Sequence, residues 1–579
     1  MPMRRPIQST CTALACALAL WCGCASPGPA DSSGASGAAM PAARQAAKAK
    51  PAPAPATAGP SIAEQIEQRA QALAHYAAGV SFELQKKPDA ALEEFMLAAI
   101  SDPANEELVL DVARQLIRKR NEPSSDKVLA LLRRAARQPT ASAAIDAMLG
   151  VALAQAGQLD EALAASRIAI KKDPKHFQGW QTAAQVHLQA NRPQDALKVI
   201  DEAAKIANGL GPLTDVADLY GTWLRANAAK IDVVKPRILS VVEDAVKLQP
   251  TSPATIQRLA ENYRLAGEFS KAADLYSGLL KRFPNQPALR ERLIDLYLRG
   301  NDHKAATEQL EGVLRQAPNN PQAHFFLGAI AHEQKDYDKA AGLFEQALRL
   351  DPTMEQAYWE LVSVRFAQDK TKEVLEVLAR ARTRFPESFI LEFYSGLAHS
   401  RLKDYAKSAT HLTKAEAIAT KDEPARLTHA FYFQLGAAHE RNKNISEAER
   451  YFEMSLKLQP DFAEALNYLG YMWAERGVNL DRARVMIEQA VKQEPENAAF
   501  LDSLGWVLFK LGKHKEALDW LIKSAQHLKE PDATIFDHIG DVYLALNQPA
   551  KAREHWTKAL SIEPDNADIK KKLADPGKQ

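Results

Sequence analysis

Beyond residue 24 the chain of 579 residues has no cysteine: Cys11, Cys16, Cys22 and Cys24 are its four, all in the N-terminal segment. Everything after that segment can form neither disulfides nor thiolate metal sites. Excess charge of either sign is also lacking, with a net charge of +1 and 25% charged residues. That balance excludes a general phosphate-binding surface, so nucleic acid is not an expected partner. No H-E-x-x-H, G-x-S-x-G, phosphate-binding loop or G-x-G-x-x-G occurs, and the fourteen histidines are scattered. His429 and His439 are ten residues apart, a spacing that does not put them side by side on one helix. No strand-rich segment is left to hold an enzyme domain, and the expectation is a protein that is not an enzyme, with no cofactor and no metal.

What is present is a period. Pro250, Pro284, Pro318, Pro352 and Pro386 follow one another at one constant interval. Between Pro318 and Pro352 two amphipathic segments of about a dozen residues flank the polar turn Lys335-Asp336-Tyr337-Asp338. That pattern predicts a helical hairpin. Gly328 and Ala340 are small where the helices must cross, Phe344 fills the space below, and Pro352 ends the second helix because it lacks an N–H. One hairpin cannot bury its apolar face, so copies must stack.

Leu327-Gly328, Ala340, Phe344, Ala347 and Pro352 resemble the tetratricopeptide-repeat pattern W-x2-L-G-x2-Y, A-x3-F, P, and the proline interval matches that family's period. Copies begin near Ala63, with Gly79, Phe82, Ala91, Phe95, Ala98 and Pro103. A stretched section runs from Ala207 to Pro250, and copies lengthen again between Pro386 and Pro460. Three copies close the array around Gly470, Gly505 and Gly540. The resemblance implies an all-α, right-handed α-solenoid of about 14 helical hairpins over residues 62–566, followed by a polar cap over 567–579. Trp180, Trp473, Trp556, Phe95 and Phe344 fall on the family's core positions.

The N-terminus is an address. Residues 1–24 carry Arg4 and Arg5 before a short apolar run from about Thr10 to Trp21, too short to span a bilayer and consistent with export. Gly23-Cys24 resembles a bacterial lipoprotein signal, in which the cysteine becomes the acylated N-terminus, although Trp21 stands where the family usually has Leu. The alternative is a secretory signal cut between Ala25 and Ala30, giving a soluble periplasmic protein. By resemblance, Ala25 and Ser26 favour an outer-membrane lipoprotein facing the periplasm, with membrane contact through the lipid anchor only. Residues 25–61, rich in Ala, Pro, Gly and Ser, lack the apolar side chains needed to fold and read as a tether reaching ~30 to ~110 Å.

Leu466 to Ala483 and Asp502 to Leu518 look like the final repeats of bacterial tetratricopeptide lipoproteins that face the periplasm. Such proteins are assembly scaffolds, exopolysaccharide or pilus secretion factors, or adaptors for periplasmic proteases. In the family, residues three before, one after and four after the small residue of each first helix point into a concave groove. That register gives Phe325, Trp359, Phe393 and Phe433 as an aromatic ladder, against Asn467, Asp502 and Asp537 in the next three copies. It adds Phe366, Tyr471, Trp506 and Phe509, with Arg401, Arg441, Glu440 and Glu475 on the adjoining turn. Aromatic rings there would anchor an extended peptide or an apolar helix of a protein partner; the alternative is that they pack between neighbouring first helices as core, which is the favoured reading for Trp506 and Phe509. A glycan or peptidoglycan binder is a third reading, for which Trp506 beside Asp502 is the one suitable pair. The Lys and Asn of a carboxylate clamp are missing from the groove positions.

Overall fold

A computed structural model describes residues 62–119 and 122–574. The signal, Cys24 and the tether therefore lie outside the described residues. The described residues divide into two compact units that part at Val313 and Leu314, within the helix His303–Gln316. Helices account for all the regular structure among the described residues.

The first unit holds seven hairpins, from Ile62–Leu84 with Pro88–Ser101 to Pro287–Arg299 with His303–Gln316. Its opening helix is 23 residues long, against 14 in the helix it packs on. The stretched section forms two helices of 17 residues, Leu210–Ala226 and Ile231–Lys247, joined by a 3-10 turn at Ala228–Lys230. Trp223 is buried there and donates to the Pro193 carbonyl at 2.7 Å.

The second unit holds seven more hairpins, from Pro321–Glu333 with Tyr337–Leu350 to Ala533–Ala545 with Pro549–Ile562, and a short last helix, Ala567–Ala574. The lengthened copies are explained by an 18-residue second helix, Tyr405–Asp422, and the 3-10 turn Pro424–Arg426 that follows. Ile569 of the last helix is buried in one apolar cluster with Trp556.

Local chemistry starts and stops these helices where the period requires. Asn320 accepts from the Ala323 N–H with Pro321 opening the helix, and Asp336 accepts from the Lys339 N–H. Each of the five periodic prolines lies in the link between one hairpin and the next. Between the two helices of a hairpin a single residue takes the left-handed conformation: Gly267, Asn301, Lys335, Asp369 and Lys403 do so at φ from +55° to +78°, at the same constant spacing as the prolines.

The crossing is as tight as the small residues imply. A Cβ added at Gly328 would lie 2.8 Å from the Phe344 ring, and one at Gly436 2.8 Å from Phe452. Phe344, Phe452 and Trp556, which face Gly328, Gly436 and Gly540, are wholly buried.

Candidate functional face

The register positions fall on the first helices of the second unit, where Ala463–Arg476, Ala498–Lys510 and Ala533–Ala545 lie side by side in succession. The face they form has two chemically distinct stretches.

In the first stretch, Phe325 is buried at 7% exposure, with its ring 5.7 Å from Phe344 and 5.5 Å from Phe326. It packs into its own hairpin, so as a groove anchor it is corrected to core. Trp359, Phe366, Phe393 and Phe433 are partly buried. Trp359 donates to Glu355 at 3.2 Å, and its ring sits 6.5 Å from Tyr394. Phe366 lies 6.1 Å from the same Tyr394. Arg401 closes that row, its guanidinium 4.6 Å from the Phe366 centroid and its Nη1 donating to the Phe366 carbonyl at 3.0 Å. Phe393 stacks on Phe389 at 5.7 Å and touches Tyr394 at 5.8 Å. Phe433 meets Tyr468 edge-on at 5.2 Å and Phe462 at 5.5 Å. Arg441 donates to the Tyr468 hydroxyl at 3.3 Å.

Tyr394 is the residue that the register rule missed, and it joins Trp359, Phe366 and Phe393 into one row. Burial, with the Glu360 carboxylate nearby, pushes its hydroxyl pKa up. It stands two residues before Gly396, as Tyr468 does before Gly470 and His538 before Gly540. That position, adjacent to the expected one, was the available signal.

In the second stretch, Trp506 is buried at 6% exposure, with its ring stacked on His538 at 3.9 Å. It is thus also corrected from open groove to core. Its indole N–H donates to Glu475, Lys510 Nζ lies 4.7 Å over the ring, and Phe509 stacks at 5.0 Å. His538 Nδ1 is 2.9 Å from Asp502, and both groups are buried. Burial pulls the His538 pKa down, but the Asp502 carboxylate, with Glu475 and Asp537, more than offsets this and leaves it raised. Tyr471, partly buried and 6.4 Å from His538, has its hydroxyl pKa pushed far up by burial and by Glu475 and Asp502. Asn467 is buried with no hydrogen-bond partner for its side-chain oxygen among the described residues.

The last helix completes this stretch. Lys572 reaches Asp537 at 2.8 Å and Asp541 at 2.7 Å, and Asp541 also accepts from Trp556 at 3.1 Å. Burial opposes the Lys572 charge, yet the two carboxylates raise its pKa; burial raises that of Asp541. The acidic positions are therefore each engaged, Asp537 by the Lys572 ammonium and Asp502 by the His538 imidazole. The aromatic stretch offers rings for apolar contact, and the acidic stretch is a hydrogen-bonded network. Among the described residues no group of three or more His, Cys, Asp or Glu is placed to hold a metal ion.

Family models described as tetratricopeptide repeat match residues 129–176, 147–210, 258–321, 291–355, 433–484 and 476–526, and further ones match 331–389 and 533–566. Together they span more than half of the chain. No curated protein matches the sequence. Among solved structures, the APC/C hetero-tetramer Cut9-Hcn1 is similar at 16% identity over 81% of this chain and 96% of that chain, with a TM-score of 0.37. A tetratricopeptide repeat protein from Parabacteroides merdae is similar at 17% identity over 44% of this chain and 97% of that one, with a TM-score of 0.36. MamA is similar at 19% identity over 30% of this chain and 96% of that one, with a TM-score of 0.27.

Proposed function

From the premise that the chain belongs to the tetratricopeptide-repeat family, and is thus a protein-interaction scaffold of a typically non-catalytic fold, we propose that it is an exported, lipid-anchored scaffold of the bacterial cell envelope. It captures a partner protein on the first-helix face between Trp359 and Phe433. The partner is an extended segment or an apolar helix belonging to a periplasmic enzyme, such as a protease, or to an envelope assembly machine.

One observation carries the reading: Trp359, Tyr394 and Phe366 form a half-buried aromatic row across two successive first helices, ended by the Arg401 guanidinium. Aromatic and arginine side chains that are already ordered by neighbours lose little freedom when a partner docks. A disordered segment bound there would gain apolar burial without rearrangement of the scaffold. The Trp506 and Asp502 pair does not support the glycan reading, because the ring is covered by His538 and the carboxylate is bound to it.

The test is a crosslinking pull-down from intact cells with the tagged chain, repeated with Trp359→Ala plus Phe366→Ala. A periplasmic enzyme captured by the parent and lost in the variant supports the adaptor reading. Membrane export components lost in the variant would move the protein to the secretion class, and glycan fragments alone would overturn both. For the anchor, Cys24→Ser should release the chain from membranes, and unchanged membrane partition would sink it.

A further inference from the structure

The opening helix, Ile62–Leu84, buries only one side. Ala72 and Gly79 are buried against the helix Pro88–Ser101, and His75 is bound to Glu94 at 2.8 Å. On the opposite side Ile66, Ala70, Leu73, Ala77, Val80 and Leu84 follow one another at alternating intervals of four and three residues. That is the spacing of a coiled-coil seam. Every one of the six is exposed, Leu73 at 70% and Leu84 at 81%. The helix is also nine residues longer than its hairpin partner, from the 23 and 14 residues of the two. Solvated apolar seams of this length are unfavourable on a helix that has no partner.

We propose that this seam pairs with the same seam of a second copy of the chain, antiparallel about a two-fold axis that crosses the seam between Leu73 and Ala77. The seam is complementary to itself only in that sense. Antiparallel pairing sets Leu73 against the partner's Ala77, Ala70 against the partner's Val80, and Ile66 against the partner's Leu84. The two inner layers thus each combine one large and one small residue, which lets the helices approach to about 8 Å. Parallel pairing would instead set Ala against Ala and leave gaps. The charges along the flank agree: Arg69, Tyr76 and Glu83, all exposed, are seven residues apart. The antiparallel axis brings Arg69 to the partner's Glu83, Glu83 to the partner's Arg69, and Tyr76 to the partner's Tyr76. An isologous contact of this kind closes at two copies and leaves no open end for further growth.

Sedimentation of the full chain with Cys11, Cys16, Cys22 and Cys24 changed to Ser tests this. The expected result is a concentration-dependent dimer. Leu73→Glu, a substitution at an exposed site, should weaken it at least ~100-fold while helical circular dichroism is unchanged. Arg69→Glu should weaken it about fivefold, with Arg69→Glu plus Glu83→Arg restoring it. Tyr76→Cys in that background should form an intermolecular disulfide under mild oxidation, whereas Gln71→Cys, on another side of the helix, should not. A monomer at all concentrations, with the seam covered by another segment of the chain, would overturn the proposal. So would a dimer indifferent to Leu73→Glu, or equal disulfide formation at both positions.

Discussion

His538 and Trp506 stack face to face, their ring centroids 3.9 Å apart and their planes 14° from parallel, while His538 Nδ1 holds Asp502 at 2.9 Å. The two rings come from adjacent hairpins, so this one contact ties together the last two first helices of the array. Because the folded-state pKa of His538 is raised, its contribution to stability is fully present below the unfolded value near 6.5 and is lost as pH rises through the folded value. Urea melts of the parent and of His538→Gln should differ most at mildly acidic pH and converge as pH rises. Asp502→Ala, which removes the buried acceptor that His538 Nδ1 is bound to, should cost about 1–3 kcal/mol at pH 6.

Glu392 provides the opposite dependence. Burial alone would raise its pKa, but bonds from His411 and Arg382 hold the carboxyl at about 2. Its contribution is therefore present above the unfolded value and disappears as pH falls toward 2. Glu392→Gln should cost about 1–3 kcal/mol at neutral pH and progressively less in acid, read by chemical denaturation across that range.

Gly328 leaves no room for a side chain, since an added Cβ would be 2.8 Å from the Phe344 ring. Gly328→Ala is expected to destabilise by about 1–3 kcal/mol. Phe344→Ala should cost about 3–5 kcal/mol, because that ring is wholly buried. Thermal melting of both variants checks the order.

Lys335 occupies a left-handed turn at φ +62°. Lys335→Gly should stabilise by up to about 1 kcal/mol, because glycine removes the steric penalty at that angle while losing more chain freedom on folding. A β-branched replacement, Lys335→Val, should instead lower the melting temperature.

Phe325 and Trp359 occupy the same register position in successive repeats but should respond differently. Phe325→Ala removes a ring that is 7% exposed and packed on Phe344, and should cost about 3–5 kcal/mol of stability. Trp359→Ala is expected to leave melting closer to that of the parent while weakening partner capture. Equal destabilisation by both would make the entire ladder core.

The hairpins were legible in the sequence because both of their defining signals are local. Pro318 and Pro352 mark the links, and Gly328 with Phe344 marks the crossing, all within one unit. The site was only half legible. The register rule pointed to Phe393 and Asp502, and passed over Tyr394 and His538 one position along from the rule's own Phe393 and Asp537, which turn out to join rings and charges from different hairpins. It also treated Phe325 and Trp359 alike.

The all-α class and an approximate count of the hairpins follow from the residues alone, since a constant repeat encodes contacts that recur within every copy. Which register positions are covered follows only from the way neighbouring hairpins pack. Asp502 meets His538 36 residues away, and Lys572 meets Asp537 35 residues away. Such contacts depend on the particular side chains that a neighbouring hairpin supplies. A period fixes the direction in which a side chain points, but its burial and charge are set by what stands opposite.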